Sequence, residues 1–240
     1  MPEEAQPAPK PFRGAFDKAF LTDAADATEV HLIRHGEQEL PTSGRIPVGV
    51  TIDPPLSARG RRQAELVGMR YSTAKIDAVY ASPLQRALDT GKQVARHHRL
   101  EPVIMHELRE VEIFRDVPPE KSAVEVFGEP LLLGMRERML RERRWDVYPL
   151  SESSLDFRRR AVNAVEGIIA TNQGKRVVIA CHGGIINAYV AHIIGSPYDM
   201  FFRPAHTSVH IVAAGDGIRA LHRLNDIQHL ETAEGSFVSH

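Results

Sequence analysis

The chain has a single cysteine among its 240 residues, which excludes an internal disulfide framework. Its net charge is only −1 with histidine neutral, so bulk composition draws it neither to nucleic acid nor to an anionic membrane. No apolar run is long enough to span a bilayer. The opening residues, Met1 to Pro7, hold no basic n-region and no apolar h-region, so no secretory signal is expected there. A Gly-rich nucleotide loop, internal repeats and low-complexity arrays are also missing. What remains is a chain expected in a reducing cytoplasm, long enough for one sizeable core.

What is present concentrates at strand ends. The β-rich run Glu29 to Ile33 leads straight into Arg34-His35-Gly36-Glu37. Arginine supplies a planar fork of charge-assisted donors, histidine a nitrogen nucleophile at neutral pH, and glycine a close backbone approach. That combination suits a phosphate. Much later, Arg176 to Cys181 reads as a buried strand followed by His182-Gly183-Gly184. The next run, Ile185 to Ile194, is apolar nearly all round and reads as a buried helix stopped by Gly195. A second histidine therefore sits where a strand meets a helix N-terminus, a place that favours anions. A third strand, Ile76 to Ala81, is followed by Ser82 as the expected N-cap and Pro83 as the first helical residue. That puts Arg86 in the helix's first turn, at the same kind of strand end where open α/β sheets bind ligands.

Elsewhere the pattern alternates. Ser57 begins a helix with Ala64, Val67 and Tyr71 inward, and Leu84 to Ala95 gives another with one buried face. Pro102 to Met105 is a short strand, Ser153 with Asp156 starts a helix with Phe157, Ala161, Val165, Ile168 and Ile169 inward, and Ser208 to Val212 is a late strand. Residues 112–150 break the rhythm with an apolar patch and a highly charged segment, and read as a helical insertion. The expectation is α/β: a three-layer α/β/α sandwich with a mostly parallel sheet. Residues 1–27 read as an N-terminal tail with a short helical piece at Phe16 to Phe20, and 231–240 as a C-terminal tail.

The chain resembles the histidine phosphatase superfamily, which includes cofactor-dependent phosphoglycerate mutases and many phosphomonoesterases. The resemblance rests on Arg34-His35-Gly36-Glu37, on Asp53 to Ser57 with Gly60 and Gln63-Ala64, and on Ser82 to Ala87. It continues through Leu108-Arg109-Glu110, Glu152-Ser153 and His182-Gly183-Gly184, all in the family's order. It implies one phosphoglycerate mutase-like catalytic domain over residues 28–230, with the insertion at about 112–150 as a cap over the pocket. It further implies His35 as nucleophile, His182 as transition-state stabiliser and Glu110 as proton donor. Arg34, Arg86 and the Gly183 amide region would hold the phosphate. No metal and no cofactor are implied. Glu110 fits the family spacing better than its neighbour Glu112, which stays open. Around either carboxyl, nearby positive groups lower the pKa while burial raises it, and the sequence does not say which wins.

Some positions depart from the family. Gln38 and Pro41 stand where Ser or Thr and then Asn are usual. Gly44-Arg45 matches a family pair, which makes Arg45 a candidate substrate contact, with Glu37 and Gln38 as further candidates. The mutase-type segments beyond the glutamate and the paired-arginine motif are not recognisable, and this argues for a phosphatase. Cys181 is not a tyrosine-phosphatase nucleophile, because the arginine that chemistry needs six positions on is Asn187. It reads as a small buried hydrophobe. His97-His98 lacks a ligand pattern for a metal, and His31 reads as a packing residue. Asp199, His206 and Thr207 are expected to border the pocket.

The expected activity is a metal-independent phosphomonoesterase acting on a small-molecule phosphate ester through a phosphohistidine. The alternatives are a mutase-type phosphotransferase and a non-catalytic phosphate binder. No nucleic-acid or membrane partner is expected. A homodimer is compatible with the sequence, which does not define the oligomeric state.

Overall fold

The computed structural model describes residues 14–22 and 24–240. The expected N-terminal tail therefore lies partly outside the described residues. Its described part carries the anticipated short helix, α1 (Ala15–Phe20), whose Phe20 carbonyl accepts a 2.7 Å bond from His222. The chain then runs β1 (Thr28–Arg34), α2 (Val48–Ile52), α3 (Ala58–Tyr71), β2 (Ala78–Ala81), α4 (Gln85–Ala95) and β3 (Val103–Ile104). It continues with α5 (Ala123–Phe127), α6 (Glu129–Glu142), α7 (Ser154–Thr171), β4 (Arg176–Cys181) and α8 (Gly183–Ile194). It closes with β5 (Val209–Gly215), β6 (Ile218–Asp226) and the two-residue strands β7 (Glu231–Thr232) and β8 (Gly235–Ser236).

Six strands form one sheet in the order β3-β2-β4-β1-β5-β6. β1 to β4 are mutually parallel, β5 runs antiparallel to β1, and β6 antiparallel to β5. The sheet is thus mixed α/β and mostly parallel, as the alternation of elements implies. Its two faces follow the strand period of two. Val30 and Leu32 of β1 join Val177 and Ile179 of β4 on one side, packed with Phe157, Ile168, Ile185 and Tyr189 of α7 and α8. Ile33 and Val178 face the other way, against Val67, Tyr71 and Val94 of α3 and α4. Each large side chain so buried contributes roughly 1.5–3 kcal/mol. His31 packs as expected, with Nδ1 at 2.7 Å from the Tyr71 hydroxyl.

The order of strands positions the site. β4 is inserted beside β1, although most of the chain separates them. Arg34 is the register partner of Cys181, so the next residues, His35 and His182, leave the sheet side by side. Ala81 of β2 pairs with Ala180, which brings Ser82 and then α4 to the same edge.

Several local expectations are refined. α3 starts after Ser57 and α7 after Ser153, each with the serine hydroxyl accepting a backbone N–H. α8 ends at Gly195 with φ 68°, the left-handed conformation that glycine adopts without Cβ strain. Ser82 is not the N-cap of α4, which begins at Gln85 after Leu84; its hydroxyl lies 2.8 Å from His182 Nε2 and accepts the Leu84 N–H at 3.3 Å. Asp53 caps α4 from a distance instead, its Oδ1 accepting the Gln85 N–H at 2.7 Å. β6 was not anticipated, because Arg219, His222, Arg223 and Asn225 make its sequence polar. It is an edge strand, whose outer face needs no apolar residue.

The segment read as a C-terminal tail is not free. It forms the β7–β8 hairpin and then docks, with the Phe237 carbonyl and the Ser239 hydroxyl accepting from Gln63 Nε2 at 2.7 and 2.9 Å. The insertion at 112–150 is helical, as read, and carries α5, α6 and a 3-10 turn at Trp145–Val147. Buried Asp199 ties it down by accepting the Trp145 N–H at 3.0 Å while pairing with Arg158 at 2.9 Å.

The loop after β1 packs very tightly on α3. A Cβ on Gly60 would overlap the Glu37 carbonyl oxygen. An exposed helical glycine gains about 1 kcal/mol of helix preference when changed to alanine. Here overpacking should dominate. Gly60→Ala is expected to lose about 1–3 kcal/mol in urea denaturation, and a variant as stable as the parent would contradict this packing.

Candidate active site

His35, Arg34, Arg86, His182 and Glu110 come from separate parts of the chain and converge at the carboxyl edge of the sheet. His35 is buried, with Nδ1 at 2.7 Å from the Gly36 carbonyl oxygen. A carbonyl only accepts, so the proton sits on Nδ1 and Nε2 keeps its lone pair. Arg86 Nε donates to that Nε2 at 3.3 Å, which agrees with this tautomer. The His182 ring lies 5.1 Å from the His35 ring, centroid to centroid. His182 bonds Ser82 through Nε2, and its buried Nδ1 has no protein partner.

The arginines are held from behind. Arg34 donates through Nη1 to the Pro204 carbonyl at 2.5 Å, while its buried Nε has no protein partner. Arg86 donates through Nη1 to the Ile52 carbonyl at 3.1 Å and lies 3.7 Å from the Asp53 carboxylate. Thr90 links helix and loop, accepting the Gly36 N–H at 3.0 Å and donating to the Arg86 carbonyl at 2.7 Å. Burial lowers the Arg34 pKa to about 10, which leaves it charged at neutral pH.

Glu110 follows the 3-10 turn His106–Leu108, beyond β3. Its Oε2 accepts the Gly184 N–H at 3.1 Å, and its Oε1 accepts the Val111 N–H at 3.0 Å. Burial raises its pKa, against the lowering by those two N–H groups and by Arg86 and Arg34. The competition that the sequence leaves open is thus won by desolvation. Glu112 is differently placed: its carboxylate pairs with Arg109 at 3.3 Å near solvent. Arg160 of α7 braces the Glu110 segment, donating to the Glu107 and Arg109 carbonyls at 2.7 and 2.9 Å and pairing with Glu152 at 2.6 Å. Gly184 leaves space for the carboxyl, since a Cβ there would overlap Glu110 Oε1.

Burial also pushes the His35 and His182 pKa values well down, helped at both by Arg86 and Arg34 and at His35 also by His182. Both rings are neutral at physiological pH. The arrangement therefore offers an aligned neutral imidazole lone pair, two cationic forks, a second imidazole and a carboxyl biased toward its protonated form.

Glu37, Gln38 and Arg45 are absent from the hydrogen bonds and ion pairs that join these groups. The Glu37 carboxylate accepts from the Ser57 hydroxyl at 2.8 Å, and the Glu37 N–H is held by Gln63 at 2.9 Å. Gln38 pairs its backbone with Leu56. Both support the loop on α3. Arg45 is exposed and close enough to Glu125 of α5 to lower its pKa. Gly183, by contrast, lines a cavity of about 500 Å³ together with Arg34 and Glu110. Met139, Arg143 and Trp145 from the insertion line the same cavity, and so do Phe201, Phe202 and Arg203.

Thr90, Asp53 and Arg160 were not legible as site supports, because their partners are fixed by packing. His206 was anticipated only as a neighbour. Its ring lies 5.7 Å from His35, Nδ1 is 2.9 Å from the Ser239 hydroxyl, and the buried Nε2 has no protein partner. Among the described residues no His, Cys, Asp and Glu cluster is arranged to ligate a metal ion. Cys181 is fully buried and its thiol is pushed up by desolvation, as a packing residue would be.

Burial of neutral histidines has a thermodynamic consequence. His31, His35, His182, His206, His210 and His229 all have lowered pKa values, to about 3 for His206 and His210 and about 4 for His229. The unfolded chain binds protons on them as pH falls through about 6.5, while the folded chain does not, so stability falls with falling pH. Glu110, being raised, works in the opposite direction but is one group against six. The loss is up to about 1.4 kcal/mol per histidine per pH unit. The urea midpoint at pH 5.5 is expected well below that at pH 7.5, and equal midpoints would show that the rings take up protons in the fold as readily as in the unfolded chain.

Comparison with known proteins gives the chain a family. The sequence profile of the histidine phosphatase superfamily (branch 1) matches residues 30–227. The chain is 28% identical over 223 residues to a probable phosphatase of Schizosaccharomyces pombe, covering 86% of this chain and 97% of that protein. It is 27% identical over 173 residues to a probable phosphoglycerate mutase of Proteus mirabilis, covering 70% and 76%. The solved structure of Bacillus stearothermophilus YhfR superposes with a TM-score of 0.72 at 27% identity, covering 85% of this chain and 100% of that one.

Proposed function

The chain belongs to the histidine phosphatase superfamily, and we propose that it acts there as a metal-independent phosphomonoesterase on a small phosphorylated metabolite. The observation that carries this reading is the 2.7 Å contact of His35 Nδ1 with the Gly36 carbonyl oxygen, from which the tautomer follows. The Nδ1–H bond to Gly36 leaves the Nε2 lone pair among Arg34, Arg86 and His182. A group that only bound phosphate would have no use for an aligned nucleophile.

In the proposed reaction, Arg34 and Arg86 neutralise the phosphoryl oxygens, and the His35 Nε2 lone pair attacks phosphorus in line. The N–P bond forms as the bond from phosphorus to the leaving oxygen breaks. Protonated Glu110 gives its proton to that oxygen, so an alcohol departs. His182 stabilises the equatorial charge in the transition state. Water then attacks the phosphohistidine, its proton passes to the Glu110 carboxylate, and the N–P bond breaks to release phosphate. Glu110 suits the first step because burial favours its protonated form. A mutase reading draws on the Proteus mirabilis relative. It requires that a second acceptor compete with water, so turnover of phosphoglycerate would depend on a bisphosphorylated primer.

His35→Ala should abolish turnover and the acid-labile, base-stable phosphoenzyme. Persistence of that phosphoenzyme would overturn the nucleophile. Glu110→Gln should lower kcat/KM for alkyl phosphates roughly a hundredfold or more, and for p-nitrophenyl phosphate far less, because nitrophenolate leaves without a proton. Equal losses on the two esters would remove Glu110 from the acid role.

Turnover should also survive exhaustive treatment with EDTA, since two arginines and two histidines supply the charge a divalent ion would supply. Loss on chelation with recovery on adding a divalent ion would refute the mechanism.

A further inference from the structure

The cavity beside the phosphate groups carries more positive charge than one phosphate ester needs. It shares Arg34, Glu110 and Gly183 with the site and extends from there beneath the insertion. If Glu110 protonates the leaving oxygen, the leaving group lies on the Glu110 side of phosphorus and therefore in this cavity. Its floor is apolar and aromatic. The Phe201 and Phe202 rings lie 4.9 Å apart between centroids, tilted by 46°, with buried Met139 and partly buried Trp145 as further walls. Trp145 also brings an indole Nε1 that is buried and without a protein partner.

The charge on these walls is unbalanced. Three arginines line the cavity, Arg34, Arg143 and Arg203, against one carboxyl, Glu110. Arg34 belongs to the phosphate. Arg143 ends α6 and holds its guanidinium 5.2 Å from the centre of the Tyr198 ring. Arg203 precedes Pro204, which anchors Arg34, and donates to the backbone oxygen of His240 at 2.9 Å. Arginine forks on an apolar wall match a planar anion such as a carboxylate.

We propose that the substrate is a phosphate monoester whose leaving group has an apolar, ring-sized body and a second anionic group, received by Arg143 and Arg203. This rests on the phosphomonoesterase reading above and adds the class of substrate to it. An unsubstituted polyol phosphate would leave the Phe201–Phe202 surface uncovered, and a neutral aryl phosphate would leave the two forks unused.

The test compares phenyl phosphate with 4-carboxyphenyl phosphate, two esters that differ in one carboxylate. The parent enzyme is expected to prefer the carboxylated ester by roughly tenfold in kcat/KM, the size of one charge-assisted contact. Arg143→Asn and Arg203→Gln should each lower that preference, and the double variant should erase it. Asparagine is chosen at Arg143 because its φ of 51° lies in the left-handed region that asparagine tolerates. Restoring the charge with Arg203→Lys should recover part of the preference. If His35-dependent hydrolysis of phenyl phosphate proceeds and the preference is absent, or unchanged in the double variant, the inference falls while the phosphatase reading stands. If the parent enzyme hydrolyses neither ester, the reading beneath it falls too.

Discussion

The register of β1 against β4 is the constraint on which the site depends. Pairing Arg34 with Cys181 places His35 and His182 at one edge of the sheet, one residue beyond the last pairing of each strand. A slip of one residue would turn every side chain of β1 to the opposite face. It would move Val30 and Leu32 off α7 and α8, and would carry His35 away from Arg86. The packing that stabilises the core and the alignment that orders the site are therefore the same interaction. Burial of apolar side chains on both faces supplies the energy, and the alternation along β1 and β4 supplies the specificity.

The same burial sets the chemistry. Positive arginines beside a carboxyl would ordinarily keep it ionised, and the Gly184 and Val111 N–H groups add to that tendency. Desolvation outweighs them at Glu110 and also holds the clustered histidines neutral. Arg34 and Arg86 are each held at this edge by a backbone carbonyl, and the Asp53 carboxylate lies 3.7 Å from Arg86. Met139, Arg143 and Trp145 of the insertion line the cavity, and buried Asp199 ties the insertion to the domain by joining Trp145 to Arg158 of α7.

Much of this was legible in the residues. The strands, the helices with serine caps, and Arg34, His35, Arg86 and His182 follow from short-range rules: alternation, capping and a strand-to-helix junction. The misread features involve partners distant in sequence. Ser82 has the makings of a cap, yet the helix starts after Leu84 and the Ser82 hydroxyl also meets His182 from beyond another strand. β6 is polar because it lies at an edge, and edges are defined only once the strand order is known. The final residues are polar and small, yet they dock through Gln63 and reach His206.

The sequence by itself determined the alternating α/β architecture and the strand-end placement of Arg34, His35 and His182. Hydrophobic period, caps and charge are properties of neighbouring residues. Only the tertiary structure decided between Glu110 and Glu112 as the carboxyl that faces the cavity. The two lie in the same short segment, and the difference is that Gly184, Phe157 and the Arg160 brace enclose one while the other stays near solvent with Arg109. Tertiary structure also decided which forces govern the pKa of Glu110. Desolvation depends on everything packed around a group, and no local stretch of residues contains that information.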